Sequence, residues 1–148
     1  MSQFRIAIDF DGTIVEHKYP DLGREAPGAF RWLKEFKEAN AFLMLWTMRS
    51  DCPDYGRDGP ALTQAIELCR KNGVTFDLAN HDPVTTWTTS PKLDAHLFID
   101  DRAFGCPVWV PAGFRRPVVD WNVVGPAVLD LIKQYNDAYG IRTNTGTA

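Results

Sequence analysis

The sequence predicts an α/β domain, Rossmann-like and doubly wound, with a mostly parallel sheet flanked by helices. Three observations point there. Short apolar runs alternate with segments of helical period along the chain. The length of 148 residues suits one domain with a core of its own. No internal repeat or long linker interrupts the alternation.

The elements follow in order. Phe4 to Ile8 reads as a buried strand. Pro27 suits the first turn of a helix that carries Ala29, Leu33 and Phe36 on one face. Phe42 to Trp46 is the second strand. Pro60 suits the start of the next helix, with Leu62, Ala65, Ile66 and Cys69 inward and Gly73 as its stop. Val74 to Leu78 is a weaker strand, Leu97 to Ile99 a firm one, and Val108 to Val110 another weak one. A last helix is expected from near Pro126, with Val128, Leu131, Ile132 and Tyr135 inward, ending at Gly140. A single domain over 1–141 results, with a short polar tail over 142–148 expected to fray. The segment from Ala103 to Asp120, with its Gly, Pro and Trp, reads as an irregular connection.

Composition narrows the class. Charged residues make up 24% and the formal net charge is −3, with a pI near 5.5. That is an ordinary soluble composition without the basic footprint of a general nucleic-acid binder. The basic pairs Arg70–Lys71 and Arg115–Arg116 read as solvated surface. Cys52, Cys69 and Cys106 are far apart and odd in number, which argues against a disulfide framework or a cysteine zinc site. With no secretory signal pattern at the N-terminus and no apolar run near the roughly 20 residues of a membrane span, the expectation is a cytoplasmic protein without a membrane partner.

The chemistry sits at the strand ends. The first strand runs into Asp9-Phe10-Asp11-Gly12-Thr13, and the strand ending at Ile99 runs into Asp100-Asp101. Carboxylates held close together repel unless a cation or a shared proton offsets the cost. In a parallel sheet these ends meet at one edge, where open α/β sheets bind ligands. Oxygen donors of this kind suit a hard divalent cation, with Mg²⁺ the expected ion. Thr47 follows the second strand, and Lys92 lies eight positions before Asp100. A metal, a lysine and a hydroxyl around a carboxylate form the environment phosphoryl transfer needs. The expected phosphate contacts are Gly12, Thr47, Lys92 and Arg49, although Arg49 serves equally as a carboxylate's partner. Lys18 is the competitor to Lys92.

These motifs, Asp9-x-Asp11-Gly12-Thr13, Thr47, Lys92 and Asp100-Asp101, in this order and behind apolar strands, resemble those of the haloacid dehalogenase superfamily. The resemblance covers about Phe4 to Arg102. It implies that Asp9 is the nucleophile and forms an aspartyl-phosphate, and that Asp11 is the general acid and base. It implies that Asp9, the Asp11 backbone carbonyl, Asp100 and Asp101 hold Mg²⁺, and that Thr47 and Lys92 hold the phosphoryl group. Within that superfamily an acid at position 11 points to a phosphatase or a related phosphomutase, and of the two a phosphatase acting on a phosphate monoester is expected.

Members of this superfamily commonly carry inserted caps. The stretch from Ile14 to Ala26 is long enough for a flap only, and Asn80 to Pro91 reads as a loop, so a capless member is expected. His17, Lys18 and Tyr19 lie in the flap and read as solvated, His81 and His96 as structural, Trp46 as core, and Trp87 as a packed loop anchor. Whether the phosphorylated substrate is small or macromolecular stays open, with nucleic acid disfavoured by the acidic pI. The competing readings are a phosphate-binding scaffold without turnover, a nucleic-acid-end phosphatase, and a receiver domain. The receiver order of motifs does not match.

Overall fold

The structure, a computed structural model, describes residues 2–51 and 59–143. Cys52 and residues 144–148 of the expected tail lie outside the described residues. The elements are β1 (Arg5–Ile8), α1 (Ala29–Glu38), β2 (Phe42–Leu45), α2 (Ala61–Lys71), β3 (Leu78–Ala79), β4 (Leu97–Ile99), β5 (Val108–Trp109), β6 (Val118–Val119) and α3 (Trp121–Tyr139). Four strands form one sheet in the order β3-β2-β1-β4, and every pair in it is parallel. The fold is α/β as expected, and all four strands deliver their carboxyl ends to one edge.

Strand pleating sorts the core. Ile6 and Ile8 of β1 and Leu43 and Leu45 of β2 point to one face and join Leu33 and Phe36 of α1, Ala65 and Cys69 of α2, and Ile132 of α3. Burying each large aliphatic or aromatic side chain contributes about 1.5–3 kcal/mol. Ala7 and Met44 point the other way and pack on Leu93. Leu93 belongs to the β3-to-β4 connection, which crosses back beneath the sheet as a loop. Among the described residues no helix contributes to this smaller cluster.

Several elements differ from expectation. Helix α3 starts at Trp121, five residues before the expected start, because Asp120 caps it through the Asn122 N–H at 3.1 Å. Pro126 is therefore inside the helix. It has no N–H for the Asn122 carbonyl, but both residues are exposed and water can serve that group. Leu131 faces solvent, while Val124, Gly125 and Asn136 take inward places. At Gly125 the helix approaches α1 so closely that a Cβ would stand 2.2 Å from the Trp32 ring.

Strand β3 is only Leu78–Ala79. The preceding Asp77 takes the Leu43 N–H on its carboxylate at 2.8 Å, so the regular ladder begins after it. Val108 does begin a strand, but β5 pairs antiparallel with β6 in a separate two-stranded ribbon. The irregular connection is thus a small hairpin leading into α3. Leu62 and Ile66 are half-buried. Trp87 is exposed rather than packed as a loop anchor, whereas His96 is structural, accepting the Arg5 N–H at 2.9 Å and stacking on Phe4. No described helix is long and apolar enough to cross a membrane.

Candidate functional site

The strand ends are locked together by backbone hydrogen bonds. Asp9 N–H donates to the Ile99 carbonyl at 3.0 Å, and Trp46 N–H donates to the Ile8 carbonyl at 2.8 Å. Asp9 thereby sits between Asp100 and Thr47. Carboxylate oxygens of Asp9, Asp100 and Asp101 lie within 4.8 Å of one another. The Asp9 carboxyl is pushed up to about 8, first by burial and then by the Asp100 charge, with Asp101 adding to it and a Phe10 N–H opposing it.

Thr13 stitches the cluster. It is fully buried, and its hydroxyl lies 3.2 Å from Asp9 Oδ2 and 3.4 Å from Asp101 Oδ1 as donor while accepting the Asp101 N–H at 3.1 Å. The buried Trp121 indole N–H donates to the Thr13 carbonyl at 2.8 Å, tying the loop to α3. His17 is not a solvated flap residue. Its Nε2 lies 2.9 Å from Asp101 Oδ2, and a Cβ at Gly12 would collide with both groups. Gly12, at φ 82°, is there to make that room. Its N–H donates to the Val15 carbonyl at 2.7 Å, so it is not free for a phosphate.

Arg49 takes the carboxylate role. It is a buried cation, and all five of its N–H groups are used. Nε and Nη2 grip the two oxygens of Asp11, each at 2.8 Å. Nη2 also donates to the Asp21 carbonyl at 2.7 Å, and Nη1 to those of Pro20 at 3.0 Å and Ala61 at 3.5 Å. No donor remains for a phosphate. The Asp11 carboxylate is accordingly outside the Asp9–Asp100–Asp101 cluster.

Thr47 lines the cleft with Asp9, Asp11, His17, Lys18 and Asp100. Its position depends on Asn80 at the end of β3, which accepts the Thr47 N–H at 2.8 Å and donates to the Arg49 carbonyl at 3.1 Å. Lys92 is elsewhere. Its ammonium lies 5.8 Å from the Phe98 ring centroid, and it lines a neighbouring trough with Asn80 and Thr88. The lysine on the Asp9 cleft is Lys18. Its flap is rooted by the Glu16 N–H to the Arg24 carbonyl at 2.9 Å and the Ala26 N–H to the Ile14 carbonyl at 2.8 Å.

A solved structure of a conserved protein from Bacteroides thetaiotaomicron is similar to this chain. The two share 37% sequence identity with a TM-score of 0.65, over 93% of this chain and 98% of the other. The chain belongs to the family of that conserved protein. The match spans nearly the whole of both chains, so the family shares the domain rather than one motif. It brings a fold and a family without an activity. No protein-family model and no curated protein matches the chain.

Proposed function

We propose that this protein is a Mg²⁺-dependent phosphatase of the haloacid dehalogenase type, hydrolysing a phosphate monoester with Asp9 as the nucleophile. The observation that carries the reading is the convergence of Asp9, Asp100 and Asp101 at the carboxyl ends of β1 and β4, with oxygens within 4.8 Å. Such a donor set fits a hard divalent cation, and the Asp9 carboxyl, raised first by burial and then by the Asp100 and Asp101 charges, is a group whose charged form a cation would stabilise. Mg²⁺ bound by these carboxylates would neutralise the cluster and polarise the phosphoryl group.

The chain's own residues divide the remaining work. An Asp9 oxygen attacks phosphorus, the ester oxygen leaves with a proton from Asp11, and water then attacks the aspartyl-phosphate while Asp11 takes its proton. As placed, both Asp11 oxygens accept from Arg49, so carrying the proton, in delivery to the leaving oxygen or in receipt from water, requires that grip to loosen. Thr13 holds Asp9 Oδ2 in place, while Thr47 and Lys18 line the cleft beside Asp9 for the phosphoryl group. The segment between β1 and α1 holds only turns and isolated bridges, which supports a flap rather than a cap. The described cysteines, Cys69 and Cys106, are unpaired, in keeping with a reducing, cytoplasmic setting.

Hydrolysis of p-nitrophenyl phosphate tests the reading, with and without Mg²⁺, wild type beside Asp9→Asn. The expected result is Mg²⁺-dependent release that the variant loses with its fold intact. Equal release by a clean preparation of the variant would remove Asp9 from the role.

A further inference from the structure

The cleft that holds Asp9 opens onto a second one of about 500 Å³. His17, Lys18 and Arg116 line both. The outer cleft adds Glu16, Arg24, Gly113 and Arg115, none of which lines the inner one. The inner lining balances Asp9, Asp11 and Asp100 against Lys18, Arg102 and Arg116, whereas the outer is net positive, with Lys18, Arg24, Arg115 and Arg116 facing a single carboxylate.

That carboxylate is already engaged. Glu16 accepts from Arg24 Nε and Nη2 at 2.9 and 3.1 Å. Arg24 also donates to the Gly113 carbonyl at 2.9 Å and lies 4.5 Å from the centroid of the Phe114 ring. Arg24 is thus a strut that fixes the 111–116 turn against the root of the flap. Arg115 and Arg116 emerge from this braced turn, exposed, and no ion pair among the described residues includes either. Two adjacent guanidinium groups beside Lys18 repel one another unless an anion is shared.

We propose that the outer cleft binds a second phosphate of the substrate, so that the protein acts on bisphosphorylated compounds. The reacting phosphate lies over Asp9 beside Lys18, and Arg115 and Arg116 hold the other. Guanidinium forks match phosphate oxygens in pairs. The acidic pI does not oppose this, because the cationic surface is local and adjoins the reaction centre. The proposal rests on the phosphatase reading and names its substrate class.

The test compares fructose 1,6-bisphosphate with fructose 6-phosphate, and adenosine 3′,5′-bisphosphate with adenosine 5′-phosphate, on wild type and Arg115→Gln in Mg²⁺. p-Nitrophenyl phosphate serves as the reference for turnover. Charge-assisted hydrogen bonds predict a kcat/KM preference of about tenfold or more for at least one bisphosphate over its partner, falling towards parity in the variant. Parity in wild type for both pairs, or a preference that survives Arg115→Gln, overturns the subsite while hydrolysis of the reference leaves the phosphatase reading standing. If wild type hydrolyses none of these esters, the phosphatase reading is what fails. Calorimetry of the same pairs then decides the subsite: tighter bisphosphate binding that Arg115→Gln abolishes supports it, and equal binding overturns it.

Discussion

Replacing Arg49 with methionine keeps much of the side chain's bulk and removes all five donors. The Asp11 carboxylate then loses both of its 2.8 Å partners, and the Pro20 and Asp21 carbonyls lose the guanidinium that holds the flap. Breaking a buried ion pair from one side costs about 3–5 kcal/mol, because the remaining charge is left uncompensated. Asp11 is only partly buried, so the lower end of that range applies, and the flap carbonyls can turn to water. For a domain of this size, about 3 kcal/mol lowers Tm by roughly 10 °C. Urea unfolding gives the free energy directly, provided the slope with denaturant is unchanged. Adding Asp11→Asn to Arg49→Met should cost much less than the sum of the two single changes, since they break one pair. Arg49→Lys should fall between, keeping the charge without the fork. An Arg49→Met protein within about 0.5 kcal/mol of wild type, or strict additivity with Asp11→Asn, would refute the clamp.

Other expectations follow from the same geometry. The Asp9 carboxyl is raised to about 8, so between the unfolded-state value and that pH the folded protein holds a proton the unfolded chain has lost. Its contribution to stability is therefore present in acid and lost as pH rises from about 4 to 8, by a few kcal/mol at most. Melting curves in EDTA should fall more steeply with pH for wild type than for Asp9→Asn, and Mg²⁺ should restore wild type at pH 8.5 but hardly change it at pH 5. Identical pH slopes for the two proteins would contradict this. Lys18→Ala should lower kcat/KM for p-nitrophenyl phosphate by about tenfold or more, and Lys92→Ala by much less. The reverse order would return the phosphate to Lys92. Gly125→Ala should destabilise by roughly 1–3 kcal/mol, since its Cβ meets the Trp32 ring at 2.2 Å; an unchanged urea midpoint would show that α1 and α3 shift apart freely.

The parts of the molecule legible in the sequence were those written in local pattern. Apolar runs marked β1, β2 and β4, and acidic residues directly after them marked the site edge. Gly140 marked the end of α3. Its start was not legible, because Gly125-Pro126 imitates a helix boundary while the true signal is the Asp120 cap and the buried Trp121. Two-residue strands such as β5 and β6 are too short to carry a period. The longer errors concern charged side chains, whose partners are chosen across the fold. Nothing near Arg49 says that Asp11, Pro20, Asp21 and Ala61 will converge on it. Lys92 had the expected spacing to Asp100, yet the path of its loop carries it over Phe98. Thr13 was visible as part of its motif, but its bond to Asp101 depends on the pairing of β1 with β4. Asn80 and His17 act through contacts to distant segments in the same way.

A nucleophilic Asp9 carries the phosphoryl group during turnover. Acid quenching during hydrolysis, followed by peptide mass mapping, tests this most directly, with Asp11→Asn used to slow breakdown of the intermediate. The expected result is one phosphoryl group on the peptide containing Asp9 and none on the peptide containing Asp100 and Asp101. Hydrolysis that proceeds with no phosphoryl group on Asp9, or with the group on another residue, would contradict it.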